Sequence, residues 1–260
     1  MKIGLALFAL LLPGLAWAAG ITGQDALYTL NLSKLRTHDI TGATGQMSFK
    51  IVDGCTGWGT TQHMTLIVRN VDGTLSQSMT NYVTWESKNG KRFTFSVSER
   101  DNGGKSKIDD EGTAIHTGQN DAGIVHYTVP AGKVVYLPPG TLFPMAHTEA
   151  MLAAGREGKK FIAPLLFDGT TTAGAQATFV GILAHHGPEK TTWPVLNDIP
   201  STNVDIAFFP RTNKDEIPDF RTRIRYFENG VGTGMVLDFG DFEMTGKLTK
   251  LGIPPSPCKG

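Results

Sequence analysis

Along much of the chain, apolar and polar residues alternate one for one. In YTLNL, Tyr28, Leu30 and Leu32 hold one parity while Thr29 and Asn31 hold the other. In QMSFKIV, Met47, Phe49 and Ile51 alternate with Ser48 and Lys50, and in RFTFSVSE, Phe93, Phe95 and Val97 alternate with Thr94, Ser96 and Ser98. A period of two sends neighbouring side chains to opposite faces, so these runs predict strands with one face in a core and the other in water, as in antiparallel sheet. Further strands are predicted at 64–69, 81–86, 123–129, 161–167, 177–185, 203–209, 219–227 and 234–246. Asp72-Gly73, Asn89-Gly90, Asp168-Gly169 and Asn229-Gly230 supply turn residues that tolerate positive φ between these runs. The polar, glycine-rich segment from Asp101 to Asp110 reads as a loop or the end of a long hairpin.

One segment has a different character. MAHTEAMLAAGREG, residues 145–158, is rich in Ala, Met and Glu and follows Pro144. It predicts a helix capped by Thr148, with Met151 and Leu152 facing inward and Gly155 or Gly158 at its end. The fold class expected is all-β, mainly antiparallel, with one embedded helix. No linker rich in Pro, Ser or Gly divides the chain, so residues 19–260 are read as a single domain.

The amino end changes the compartment. MKIGLALFALLLPGLAWAAG has a positive Lys2, an apolar run from Ile3 to Leu12, a Pro-Gly break and a small-x-small pattern at Ala16-Trp17-Ala18. That is the pattern of a secretory signal peptide over residues 1–18. The run is shorter than the ~20 apolar residues a spanning helix needs. The expected product is therefore exported and soluble. Its cleavage would remove Lys2, leaving one fewer basic residue than the 24 against an unchanged 24 acidic. A balance so close to neutral points away from both nucleic acid and an anionic membrane surface as partners, since each calls for a strong basic excess. Export also changes the reading of Cys55 and Cys258, the two cysteines of the chain. In an oxidising compartment an even count predicts one disulfide between them.

Candidate catalytic chemistry is sparse. Gly104-Lys105-Ser106 lacks the glycine five residues before the Gly-Lys pair that a phosphate-binding loop requires, Glu99 standing there. Ser256-Pro257-Cys258-Lys259 spells S-x-x-K, but its prolines forbid the helix that would aim lysine at serine. His185 and His186 adjoin on a predicted strand and so face opposite ways, and His116, Asp121 and His126 offer too few ligands for a closed metal site. His147 is expected to form a local hydrogen bond. Asp109-Asp110-Glu111 is contiguous rather than alternating, and reads as a solvated turn rather than a calcium loop. Arg221, Arg223 and Arg225 share a strand face that would suit an anionic partner such as a lipid headgroup, or else a solvated face neutralised by carboxylates. Trp58 and Trp85, with the abundant phenylalanines, fit either a plain core or the lining of an apolar cavity.

An ordered set of motifs resembles a known family. It runs Gly54-Cys55-Thr56-Gly57-Trp58, Trp85-Glu86-Ser87 with Asn89 to Phe95, Leu137-Pro138-Pro139-Gly140-Thr141-Leu142-Phe143-Pro144 with His147-Thr148, Phe167-Asp168-Gly169, Pro218-Asp219-Phe220, Glu228-Asn229-Gly230-Val231, Asp238-Phe239-Gly240-Asp241-Phe242 and Cys258. Together these resemble the EipB family of cell-envelope integrity proteins. The resemblance covers nearly all of the exported chain. It implies a periplasmic protein whose long antiparallel sheet winds into a spiral, incomplete β-barrel, with Cys55 bonded to Cys258. It implies a role in envelope integrity under stress with no known catalysis; no cofactor or metal is expected. It also implies an envelope protein as partner, one with tetratricopeptide repeats among the possibilities. The barrel's cup shape makes carriage of a lipid or lipoprotein the alternative, and a hydrolase built on His147 and Asp168 a third reading.

Overall fold

The computed structural model describes residues 20–117, 122–209 and 217–258. The signal-peptide segment and Asp121 lie outside them. Among the described residues sixteen strands form one sheet. The first eight are β1 (Gln24–Leu35), β2 (Ile40–Asp53), β3 (Gly57–Asn70), β4 (Leu75–Ser87), β5 (Arg92–Asp101), β6 (Ser106–His116), β7 (Gly123–Val129) and β8 (Val134–Leu137). Then come β9 (Thr141–Leu142), the helix α1 (Pro144–Arg156), β10 (Phe161–Ile162), β11 (Leu165–Leu166) and β12 (Gln176–His186). The last four are β13 (Ser201–Phe209), β14 (Phe220–Phe227), β15 (Gly232–Asp238) and β16 (Phe242–Gly252).

Hydrogen-bonded order runs from β8 back to β1, across to β16, back to β12, and on through β11 to β9. Every pairing is antiparallel except β9 with β11. The two ends of this order, β8 and β9, are joined in the chain by the three residues Pro138 to Gly140, in a turn closed by Thr141 N–H donating to the Pro138 carbonyl at 3.3 Å. Strands so tethered must lie side by side. The sheet therefore wraps round into a barrel that lacks hydrogen bonds along one seam. The expected all-β, incomplete barrel with one embedded helix is the fold observed.

Several boundaries differ from those expected. The run 234–246 is two strands, because Gly240 takes φ 86° and turns the chain between β15 and β16. The run 161–167 is broken at Pro164, which lacks the N–H a ladder needs, leaving β10 and β11. The segment 101–110 is a turn only as far as Lys105. From Ser106 the chain is strand β6, in register Ser98↔Asp109 and Thr94↔Thr113 with β5. Its polar residues masked it, since a long hairpin is held by its backbone ladder rather than by burial. Asp109, Asp110 and Glu111 are thus strand residues and not a turn.

Helix α1 begins one residue early, at Pro144, whose fixed φ suits the first helical position. Thr148 is not the cap; its hydroxyl donates to the Pro144 carbonyl at 3.0 Å. At the other end Gly158 takes φ 67°, its N–H bonds Gly155 O at 3.1 Å, and Lys159 N–H bonds Ala154 O at 3.0 Å. This pair of bonds is a Schellman stop. Met151 and Leu152 are buried as expected.

The helix crosses one mouth of the barrel. Met145 packs with Ile21, Ile51 and Trp58. Gly155 lies directly on Thr202 at the start of β13. Arg156 pairs with Glu228 just past β14. A second element enters the barrel between β11 and β12: Tyr82 donates to Asp168 O and Tyr127 to Thr171 O, both at 2.9 Å, above a core of Phe93, Phe95, Phe143 and Phe167. The bond Cys55–Cys258 ties the β2–β3 turn to the carboxyl tail. Asp53 supports that junction, accepting from Cys55 N–H and Ser256 Oγ at 3.0 Å and pairing with Lys88 at 2.7 Å. The Lys88 ammonium also sits 4.5 Å over the Trp58 ring. No helix among the described residues is long and apolar enough to cross a membrane.

Candidate binding lumen

Inward positions follow from the alternation. On β1 they are Ala26, Tyr28 and Leu30, and on β2 Met47 with Phe49 beside it. Where α1 and the 168–175 segment do not reach, Tyr28, Met47 and Phe49 face an open cavity of about 380 Å³ between β1–β3 and β14–β15. Its walls include Met47, Met64, Met235, Phe49, Phe220 and Phe239. The volume lies in the range of small-molecule sites, about 300–1,000 Å³. Methionines let such a lining adapt to ligand shape. The aromatic edge is continuous, with ring centroids 5.7 Å apart for Phe208–Phe220, 5.4 Å for Phe220–Phe239 and 5.1 Å for Phe239–Phe242.

The polar groups in the lining are neutral ones: Gln62, Thr222, Tyr28 and Tyr226. Burial pushes both phenols up, that of Tyr226 to about 12. The Tyr28 hydroxyl donates to Gly232 O at 2.8 Å. Gln24 Nε2 donates to Gly230 O at 3.2 Å. Both carbonyls precede Met235, where the β15–β16 pairing begins, so side chains from β1 supply bonds there. The cavity can hold an apolar chain or ring beside a few hydrogen-bonding groups. It presents no carboxylate, imidazole or ammonium from its lining.

The buried titratable groups are spent on structure instead. Glu86 ends β4 on its inward face, 2% exposed, and its carboxylate accepts Met145 N–H at 2.7 Å and Ala146 N–H at 2.9 Å. Phe143 at the N-cap has no side chain that could accept them. Burial raises Glu86 to about 7, against the lowering effect of those two bonds. His147 does not bond locally: its Nε2 meets Thr178 Oγ1 on β12 at 3.0 Å, and burial lowers it to about 4. Asp168 is raised by burial and accepts from Thr170 N–H, Thr170 Oγ1 and Gln176 Nε2. His147 and Asp168 thus serve different hydrogen-bond sets.

The other histidines also differ from one another. His126 pairs in register with Thr113, and His116 with Gly123, so the two are not cross-strand neighbours. His116 packs against the Phe143 ring at 4.6 Å. His185 meets Thr202 Oγ1 at 3.0 Å. The described residues contain no group of three or more acidic, His or Cys side chains able to hold a metal.

Each arginine of β14 meets a carboxylate. Arg221 grips Asp205 through two bonds of 2.5 and 2.6 Å, Arg223 lies 3.6 Å from Glu243, and Arg225 pairs with Glu189 at 2.6 Å. The arginine row is thus interlaced with carboxylates on the outer face.

Sequence reasoning missed the role of Glu86, although an acid at an inward strand position is the signal that could have revealed it. The quoted motifs acquire physical reasons here. Gly57 leaves room for the Trp85 ring, Gly169 takes φ 79° and lies against Phe95, and Asn229 turns the chain by accepting Val231 N–H. They are joints of the barrel.

Barrel-like sheet, mouth-crossing helix and apolar lumen define a β-barrel-like fold. The chain belongs to the EipB-like family, whose model matches residues 15–255. It is 27% identical over 253 residues to the cell envelope integrity protein EipB of Brucella abortus, spanning 92% of this chain and 86% of that one. It also superposes on the crystal structure of a beta-barrel-like protein of a domain of unknown function from Brucella abortus. There the TM-score is 0.81 and the identity 25%, over 91% of this chain and 100% of the other.

Proposed function

We propose that this chain is a non-catalytic periplasmic protein that maintains cell-envelope integrity by binding an envelope component. The observation that carries the reading is the lumen: an open apolar cavity without a titratable acid or base in its lining beyond two neutral phenols. Catalysis by acid, base or nucleophile needs such groups converging on one point. Here Glu86, His147 and Asp168 each hold a segment of backbone or a neighbouring side chain. The name of the Brucella relative supports the envelope role, and the signal-peptide pattern of residues 1–18 supports export to the periplasm.

The same cavity favours a second reading, carriage of a lipid or the acyl chain of a lipoprotein within the barrel. Methionine and phenylalanine walls suit an acyl chain better than a polar peptide. Cross-linking in the periplasm, followed by mass spectrometry of captured proteins and lipids, tests both. A reproducible envelope protein, with tetratricopeptide repeats or without, supports the first reading. A stoichiometric acyl lipid supports the second. Turnover of envelope substrates that a point variant abolishes would refute both in favour of a hydrolase.

A further inference from the structure

Strand register sorts the lining of the lumen along the barrel axis. Tyr28 stands opposite Met47, Met47 opposite Met64, and Phe49 opposite Gln62. Tyr226 stands opposite Gly232, whose carbonyl takes the Tyr28 hydroxyl. Tyr226 and its neighbours lie toward α1, because β14 runs on from Tyr226 to Glu228 and its partner Arg156 on the helix. Phe220 and Phe239 lie at the other end, where β14 begins and where β15 turns into β16. Apolar side chains cap the α1 end: Ile21 lies against Gly230 of the lining, and Met145 of α1 shares a cluster with Ile21.

Polar groups are thus spread unevenly along the axis. Tyr28, Tyr226 and Gln62 stand toward the capped end and the phenylalanines at the opposite one. The Tyr28 and Tyr226 phenols are close enough to interact. Tyr28 has committed its proton to Gly232 O at 2.8 Å. The side chains of Tyr226 and Gln62 make no hydrogen bond to any described residue, although both line the cavity and are only partly exposed. Polar side chains of folded proteins are generally satisfied when out of bulk water, and a few convergent ones in an apolar site fix a ligand's orientation.

The lining also decides which chemistry can reach them. None of its residues is acidic, basic or a histidine. An ionised carboxylate or ammonium brought to the capped end would give up its water with no counter-ion to replace it. An uncharged hydroxyl or amide gives up far less, and regains it from the Tyr226 hydroxyl and the Gln62 carboxamide. The group must be terminal, because Ile21 and Gly230 leave no path beyond it. Thr222, opposite Leu237 and nearer the phenylalanines, would meet the chain of such a molecule rather than its end.

We infer that the lumen selects apolar molecules ending in an uncharged hydroxyl or primary amide, which enters first and hydrogen-bonds at the Tyr226 and Gln62 end. The apolar chain then lies along Met47, Met64 and Met235 and leaves past Phe220 and Phe239. This rests on the carriage reading of the lumen and narrows it: fatty-acid anions are poor ligands, and long-chain alcohols or amides are good ones.

The test is displacement of the uncharged fluorescent probe Nile red by octanol, octanamide, octanoate and nonane at pH 8. The chain from residue 19 onward is used, because the apolar run of residues 1–18 would itself take up the probe, and every described element lies beyond them. Octanol and octanamide are expected to displace the probe at concentrations at least about tenfold below octanoate. The double variant Tyr226→Phe, Gln62→Leu should weaken octanol and octanamide by about tenfold, the worth of two modest hydrogen bonds, while nonane holds or gains. Tyr226→Phe alone removes one oxygen and should weaken octanol about threefold, which keeps the test open if the double variant folds poorly. The inference is overturned if octanoate binds as tightly as octanol, or if the variants treat octanol and nonane alike. If instead Met64→Trp leaves Nile red binding unchanged and none of the four ligands displaces it, the carriage reading falls together with the inference.

Discussion

Replacing Glu86 tests how the barrel holds its helix. The carboxylate accepts two N–H groups from the first turn of α1, where the N-cap residue Phe143 cannot. Glu86→Ala leaves both donors unpaired, that of Met145 buried and that of Ala146 partly buried. Each such donor costs roughly 1–3 kcal/mol, so the loss should be about 2–4 kcal/mol at pH 8 and larger at pH 5, where wild type also gains from the protonated carboxyl. Glu86→Gln separates charge from shape. The wild-type carboxyl is raised from 4.5 to about 7. The native state therefore binds this proton more tightly than the unfolded chain. The resulting stabilisation is complete below about 4.5 and is lost as pH rises through about 7. At about 1.4 kcal/mol per unit, the difference is ~3 kcal/mol between the two limits. Glutamine resembles the protonated acid and has no such dependence. Urea unfolding followed by tryptophan fluorescence, at pH 5 and pH 8, should show the glutamine variant gaining on wild type as pH rises. Parallel pH profiles would refute the titration argument, and an alanine variant as stable as wild type would refute the cap.

His147 acts in the opposite sense. Burial lowers it from 6.5 to about 4, so its contribution is present above 6.5 and is lost as pH falls toward 4. His147→Leu should flatten acid sensitivity in that window, measured by the same unfolding series. Reducing Cys55–Cys258, or replacing both with serine, frees a closed loop of 203 residues. The chain-entropy model gives about 5 kcal/mol for it, visible as a lowered melting temperature in calorimetry. Gly155→Val would set a side chain against Thr202, where even a Cβ would lie 2.6 Å from Cγ2, and should cost ~1–3 kcal/mol by chemical denaturation. Met64→Trp should fill part of the lumen and abolish enhancement of a fluorescent fatty-acyl probe, with little change in the thermal midpoint.

The alternation of Phe93, Phe95 and Val97 reads directly as an inward face, because in a strand parity alone sets direction. The Pro144 start and Gly158 stop of α1 are local too, written in fixed φ and in tolerance of positive φ. The pairing of the chain's two cysteines follows from their even count in the same way. Other features were hidden where polar strands carry no hydrophobic signal, as in β6, or where a tight turn interrupts a continuous pattern, as at Gly240. The inward parity of Glu86 was legible, but its partners were not, because they lie about 60 residues away, on a helix that only the closed barrel brings to it. The lumen was equally out of reach: Met47 and Met235 look like ordinary core residues until one knows where α1 and the 168–175 segment stop filling the barrel. What this sequence determined alone was the parity of its strands and the ends of its helix. What tertiary structure decided was the seam and the open cavity, since each depends on which distant strand lies alongside, and long-range packing leaves no local mark in the chain.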